Sequence, residues 1–244
     1  MIAPDPWQRL CSLTPARIAL GRAGGSVPTR ELLDFQLAHA LARDAVHQPF
    51  DPQQLARDLA PLDHPLLQFQ TAARDRQTFL LRPDLGRRLV EPLPHGLPSG
   101  FDVAIMLSDG LSALAAHRQG PPVMFELLPR LKSSGFRVAP IGIIPFARVA
   151  LQDQVGALLN ARLSLILLGE RPGLGSPDSL GAYLVYDPRP GRTDADRNCV
   201  SNIRPQGLPP AAAADLLHYL IVQSLRRRLS GVQLKDDRPP NALP

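Results

Sequence analysis

Through residues 29–46 the apolar positions Leu32, Leu33, Phe35, Leu37, Ala40, Leu41 and Val46 recur on an approximately helical period. The pattern predicts an amphipathic helix with Thr29 as its N-cap after Pro28 and Glu31 in its first turn. A shorter helix is predicted over 51–62, capped by Asp51 with Pro52 at the first helical position. Residues 77–81 (QTFLL) read as a short strand, RPDLGRRL as a new turn, and the proline-rich run at 92–100 as a separator, placing a boundary near residue 98.

Beyond it the pattern changes to buried runs of strand length alternating with helical stretches, the mark of a sheet covered by helices. The runs are FDVAIMLS (101–108), FRVAPIGIIPF (136–146), ARLSLILLG (161–169) and GAYLVY (181–186). They lack polar alternation, as strands covered on both faces do. GLSALAAHRQ, VMFELLPRLKSSG and VALQDQVGALLNA are predicted helices between them, and a last helix over 209–231 stops at Gly231. The fold class expected is therefore α/β: a Rossmann-like, doubly wound, mainly parallel sheet over 99–244 with a helical N-terminal extension and linker over 1–98 that packs on the core or a partner. In such a sheet ligands bind at the loops beyond the carboxyl ends of strands.

Composition narrows the function. Lys plus Arg number 27 against 22 for Asp plus Glu, a formal charge of +5, but the basic residues are dispersed among acids and aromatics are only 5%, so no basic stripe or stacking platform for nucleic acid emerges. Cys11 and Cys199 are too few and too distant for a disulfide framework or a metal knuckle, which fits a reducing cytosol. No apolar run reaches membrane-spanning length, the N-terminus has no signal-like apolar region, and the six histidines show no ligand spacing, so neither a membrane span nor a metal site is expected.

Three loops stand out. In SDGLS (108–112), Ser108 or Asp109 can cap the next helix and Gly110 lets backbone approach a ligand, although a plain strand-to-helix turn has the same composition. GERPGLGSPDS (169–179) has more glycine and proline than a mere connection requires; Glu170 at its start can accept hydrogen bonds from a ligand or pair with an arginine such as Arg171. In GRTDADRNCVSNIRPQG (191–207), Cys199 has no histidine near it in sequence and reads as a small buried residue at a strand end, while Ser201 and Asn202 can donate to a ligand.

Taken together, RPDLGRRL, SDGLSALA, ARVALQDQVGALLNARL, the long segment from LLGERPGL to CVSNIRPQGL, and LSGVQLKD resemble, in order and over most of residues 16–236, the small subunits of ethanolamine ammonia-lyase. The resemblance implies a heteromeric lyase that uses adenosylcobalamin to convert ethanolamine, a vicinal amino alcohol, to acetaldehyde and ammonia. The catalytic residues would lie in a barrel-shaped large subunit, six large and six small chains forming the assembly. The small subunit would clasp the cobalamin through Val149, Glu170 and Cys199. The string AAHRQG at 115–120 has Ala115 where the DxHxxG motif of base-off cobalamin proteins has its aspartate, so the cofactor is expected to stay base-on, with no metal ligand from this chain. The expected location is the cytoplasm, or a bacterial microcompartment; the chain begins near the conserved part, so targeting through the longer N-terminal extension of some members is not expected. The competing reading is a stand-alone α/β hydrolase using Cys199 or Ser108, which predicts turnover by the isolated chain.

Overall fold

The computed structural model describes residues 7–238 apart from 12, 15 and 94. The elements that position the site are α2 (Thr29–His47), α3 (Pro52–Leu59), β1 (Leu66–Gln68), α4 (Arg76–Leu81), β2 (Val103–Ser108), α5 (Ala113–Ser133), β3 (Ile141–Ile143), α6 (Leu151–Leu158), β4 (Leu163–Gly169), β5 (Leu180–Tyr186), β6 (Arg197–Ile203) and α7 (Pro210–Arg227), preceded by α1 (Gln8–Cys11). The architecture is mixed α/β with one six-stranded, mostly parallel sheet in the order β1-β3-β2-β4-β5-β6. The pairs β1–β3, β3–β2 and β2–β4 are parallel, and β4–β5 and β5–β6 antiparallel.

Alternation in the strands divides two cores. Val103, Ile105 and Leu107 of β2, with Leu163, Leu165 and Leu167 of β4, face α3, α5 and α7. The intervening Ala104 and Met106, with Ile166 and Leu168, face Leu151 and Val155 of α6. Side chains on a strand alternate sides, so runs apolar at every position require cover on both faces. Each fully buried leucine or isoleucine contributes roughly 1.5–3 kcal/mol against solvent exposure.

Several local expectations change. Residues 77–81 lie in α4 rather than in a strand: Asp75 caps the helix, accepting from the Thr78 backbone N–H at 2.7 Å and from its hydroxyl at 3.1 Å. A five-residue apolar run carries too little periodicity to separate the two forms, and the cap decides. The two helices predicted over 110–135 are one, α5, despite Pro121, Pro122 and Pro129 within it. Ala115 before the prolines, Val123, Met124 and Leu127 between Pro122 and Pro129, and Leu131 after them bury into the same core, so tertiary packing offsets the missing backbone bonds. Its N-cap is Ser112, which accepts from Ala115 N–H at 3.2 Å, not Ser108 or Asp109.

The run 136–146 yields only the three residues of β3, bracketed by Pro140 and Pro145, which have no N–H to give a ladder. The front of the chain adds an edge strand, β1, that no alternation announced. Thr29 begins α2 without capping it, and the helix has no side-chain cap. Asp51 caps α3 as expected, accepting from Gln53 and Gln54 N–H at 2.9 and 3.0 Å. The last helix ends at Arg227, with Arg228 as its C-cap in the left-handed region at φ 57°, rather than at Gly231. Gly231 starts a short 3-10 turn where a Cβ would meet the Ala195 carbonyl at 2.0 Å, so its glycine is required by close approach.

The largest departure is the surface of α2. Leu33, Leu37 and Leu41 are 58%, 60% and 51% exposed, Leu32 and Phe35 are exposed as well, and Ala45 alone is buried among the helix residues. The helix forms as predicted, but the other described residues leave much of its apolar side exposed. Among the described residues no helix is long and apolar enough to cross a membrane.

Candidate functional site

The loops that follow β2, β3 and β4 meet at one end of the sheet. Beyond β2, Ser108 donates to Asp109 Oδ1 at 3.1 Å and accepts the Ala147 N–H at 3.0 Å. Asp109 Oδ1 also accepts the Phe146 N–H at 2.7 Å, and Asp109 Oδ2 accepts from Arg76 Nη1 at 2.8 Å. Arg76 continues to the carbonyls of Gly110 (2.7 Å) and Val46 (2.8 Å), tying α4 and the end of α2 to the same point. Burial pushes the Asp109 carboxyl up, opposed by the Arg76 cation. Phe146 is held at φ 61°, costly for a bulky side chain, and its hydrogen bond to Asp109 helps fix it. Asp109 is thus spent on building the loops rather than presented to a ligand.

The floor is closed by glycine. A Cβ on Gly169 would lie 2.0 Å from the Ser112 carbonyl oxygen, and one on Gly110, at φ 48°, 2.5 Å from the Gly169 carbonyl oxygen. The backbones beyond β2 and β4 therefore touch directly, leaving a cleft of about 420 Å³ above them. Val149 and Glu170 both line it, with Leu111, Leu168, Arg148 and Tyr183 among its other walls. Glu170 has no arginine partner among the described residues: its Oε2 accepts from the Ser179 hydroxyl at 2.5 Å and the Asn202 N–H at 3.2 Å. Asn202, at φ 57°, builds the Glu170 corner, and its carbonyl accepts the Leu208 N–H at 2.8 Å. The loop after Glu170 is pinned as its composition suggests, with Ser112 donating to the Pro177 carbonyl (2.9 Å) and Arg204 to the Gly175 carbonyl (2.9 Å).

Cys199 lies within β6, not at a strand end, and is exposed rather than buried. It pairs in register with Tyr183, which lines the cleft, so Val149 and Glu170 share one cavity and Cys199 sits one strand beyond its edge. Although Cys199 is exposed, desolvation by the groups around it raises its thiol, partly offset by the hydrogen bond with Tyr183, and desolvation pushes Tyr183 up as well. A protonated thiol is a poor nucleophile. Ser108 is fully buried with its hydroxyl engaged, so neither nucleophile of the hydrolase reading is presented to solvent with a base. Among the described residues no cluster of His, Cys, Asp and Glu could hold a metal. Another concave region, of about 370 Å³, lies along Gln68, Phe69 and Val90 near β1, reaches the loop after β3 at Pro145, and has no charged wall.

Beside the cleft, Arg197 at the start of β6 donates to Asp153 of α6 at 2.5 Å, both nearly excluded from solvent. Burial pushes the Asp153 carboxyl up to about 6, the Arg197 cation opposing it. A carboxyl that binds its proton more tightly in the folded state contributes stability fully present below its unfolded value of 3.8 and lost as pH rises through about 6. Against Asp153→Asn, the wild-type chain is expected to lose roughly 3 kcal/mol of relative stability between about pH 4 and pH 7 in urea unfolding. A difference that stays flat over this interval would show the carboxylate ionised throughout.

Sequence reasoning missed Arg76, Arg148 and Tyr183 at this site. Arg76 fell in a segment read as approaching a strand, and Tyr183 looked like one more apolar strand position. Arg148 adjoins Val149, and that adjacency was the signal available.

With this geometry in place, similarity is informative. The sequence profile described as ethanolamine ammonia-lyase light chain (EutC) matches residues 4–235. The ethanolamine ammonia-lyase small subunit of Ralstonia nicotianae is 52% identical over 242 residues, covering 96% of this chain and 90% of that protein. That of Azotobacter vinelandii is 54% identical over 242 residues, 96% of this chain and 89% of its own. That of Pseudomonas fluorescens is 50% identical over 242 residues, 96% and 87%.

Proposed function

The chain belongs to the ethanolamine ammonia-lyase light-chain family, a carbon–nitrogen lyase, and on that premise we propose that it works as the small subunit that clasps adenosylcobalamin against a large catalytic subunit. The reading extends to six large and six small chains in the assembly and to a cytoplasmic setting, enclosure in a bacterial microcompartment being read from the family only. Its core, with helices on both faces of the sheet, we take as doubly wound and Rossmann-like over 99–244, and residues 1–98 as the part that packs on core and partner.

What carries the proposal is that Val149 and Glu170 line one cleft at the carboxyl ends of β2, β3 and β4, with Cys199 one strand away behind Tyr183. The site fits part of a corrinoid. Leu111, Val149 and Leu168 offer apolar contact, and Glu170, its Oε2 already fixed by Ser179 and Asn202, can accept from an amide or hydroxyl. The cleft holds only a portion of so large a cofactor, which agrees with a second chain covering the remainder. When bound, adenosylcobalamin supplies radical chemistry through its cobalt–carbon bond; the residues of this chain bind, orient and exclude water. The apolar side of α2, which the other described residues leave exposed at Leu33, Leu37 and Leu41, suits the partner contact.

Ammonia release from ethanolamine with adenosylcobalamin should be absent with this chain alone and appear when the large subunit is added. Glu170→Gln in the pair is expected to weaken the apparent cofactor affinity about tenfold while the rate at saturating cofactor changes less, as loss of a charge-assisted hydrogen bond would do. Turnover by the isolated chain, or none from a well-folded pair, overturns the reading.

A further inference from the structure

A second depression, of about 450 Å³, adjoins the cleft and shares Arg148 and Val149 with it; Arg87, Arg192, Arg197 and Asp194 also line it. Two of these cations are compensated. Arg197 pairs with Asp153 at 2.5 Å and more loosely with the exposed Asp194 at 3.6 Å, and Arg192 with Asp187 at 2.8 Å and Asp196 at 3.7 Å. Arg87 and Arg148 have no carboxylate partner among the described residues, nor has Arg171 in the wall of the first cleft.

Arg148 is the most constrained of them. Its guanidinium stacks on the Phe79 ring at 4.1 Å and gives one hydrogen bond to the Phe79 carbonyl at 3.2 Å, while its buried Nε has no partner. Burial, and then the neighbouring cations Arg76, Arg87 and Arg171, lower its pKa, with Asp109 opposing them, so the fold concentrates like charge around Arg148. α6 opens at the same place with Ala150 as an N-cap that offers no side-chain acceptor, so the positive end of its dipole adds to the field.

We propose that this depression is a phosphodiester subsite centred on Arg148 and Arg87. Resting on the cofactor reading above, the anion is the phosphodiester in the nucleotide arm of base-on cobalamin. The chemistry separates along the two cavities: Glu170, an acceptor, faces the part of the ligand that carries amide donors, and the arginines face its only anion. Arginine recognises phosphate oxygens through paired N–H donors, and a phosphodiester accepts without needing to donate. The shared residues Arg148 and Val149 make the two sites one continuous path.

The test is equilibrium binding to the assembled pair, followed by absorbance changes of the corrinoid, with adenosylcobalamin and with cobinamide, which lacks the nucleotide arm and its phosphodiester. Arg148→Gln is expected to weaken adenosylcobalamin about tenfold or more, the fold-change of a lost charge-assisted hydrogen bond, and to leave cobinamide within about twofold. Arg87→Gln, at an exposed position where folding is not at stake, should act in the same direction. Inorganic phosphate should compete with adenosylcobalamin and not with cobinamide. Equal weakening of both corrinoids, or no weakening of either, overturns the assignment, as does phosphate binding at Arg148 that leaves adenosylcobalamin undisturbed. If the wild-type pair binds neither corrinoid, the cofactor reading itself falls and this assignment with it.

Discussion

Asp109→Asn is expected to destabilise the chain by about 3–5 kcal/mol, because it removes the negative partner of a buried ion pair and leaves Arg76 without a counter-charge. The carboxylate is 1% exposed and the guanidinium 17%. Asparagine has nearly the same shape and can still accept the Phe146 N–H, so the loss isolates charge rather than volume. Arg76 Nη2 already lacks a hydrogen-bond partner, so the remaining donors cannot be redistributed easily. Pairing Asp109→Asn with Arg76→Met should cost less than the sum of the two single changes, with a coupling of about 1–3 kcal/mol in denaturant unfolding. Strict additivity would mean that the pair contributes nothing specific to the junction of α4 with the loops after β2 and β3. Because Arg76 ties α4 and the end of α2 to the loop after β2, losing its counter-charge should loosen that junction while the Phe146 N–H keeps an acceptor.

The second large effect is at Gly169. Alanine there would place its Cβ 2.0 Å from the Ser112 carbonyl and 2.5 Å from the Asp109 carbonyl, both backbone atoms. Neither can be relieved by turning a side chain. The end of β4 would have to separate from the loop after β2, at a cost of about 3 kcal/mol or more, at the upper end of overpacking. For a chain of this length that lowers Tm by roughly 6–12 °C, readable in a circular dichroism melt. Alanine at Gly175, where nothing lies within 4 Å of a Cβ, serves as the control and should change Tm little. A Gly169→Ala variant that melts with the wild type would show that these loops separate freely, and the cleft floor would not be the rigid surface described.

The two effects share a cause. The cleft is built from backbone brought into contact at Gly110 and Gly169 and from a polar knot around Asp109, so its shape depends on groups that would not themselves touch a ligand. That separation between the residues that shape the cleft and those that line it, Val149 and Glu170, also explains why the lining was easier to anticipate from sequence than the frame.

Strand and helix identity was legible wherever a run was long or bounded by chemistry. β2, β4 and β5 appear within one or two residues of their apolar runs, since only strands covered on both faces tolerate apolar residues at every position. Asp51 with Pro52 marked a helix start because both act within one turn of backbone. The strong family motifs were legible for a different reason, being continuous strings whose order does not depend on knowing the fold. What failed was short or non-local: the five-residue run taken for a strand was turned into α4 by Asp75, and three-residue β1 gained strand form only by pairing with β3.

The sequence by itself determined the α/β class, the position of most core elements, the family, and the placing of Val149 and Glu170, but not Cys199, at loops beyond the strands. Tertiary structure alone decided that the described residues leave much of the apolar side of α2 exposed, that Asp109 turns inward to Arg76, that Cys199 lies one strand beyond a cavity shared by Val149 and Glu170, and that arginines distant in sequence gather beside it. Periodicity and capping act within a few residues and are written into local spacing. Burial, ion pairing and the gathering of charge depend on which segments meet across the sheet, and that follows from the packing of the whole chain.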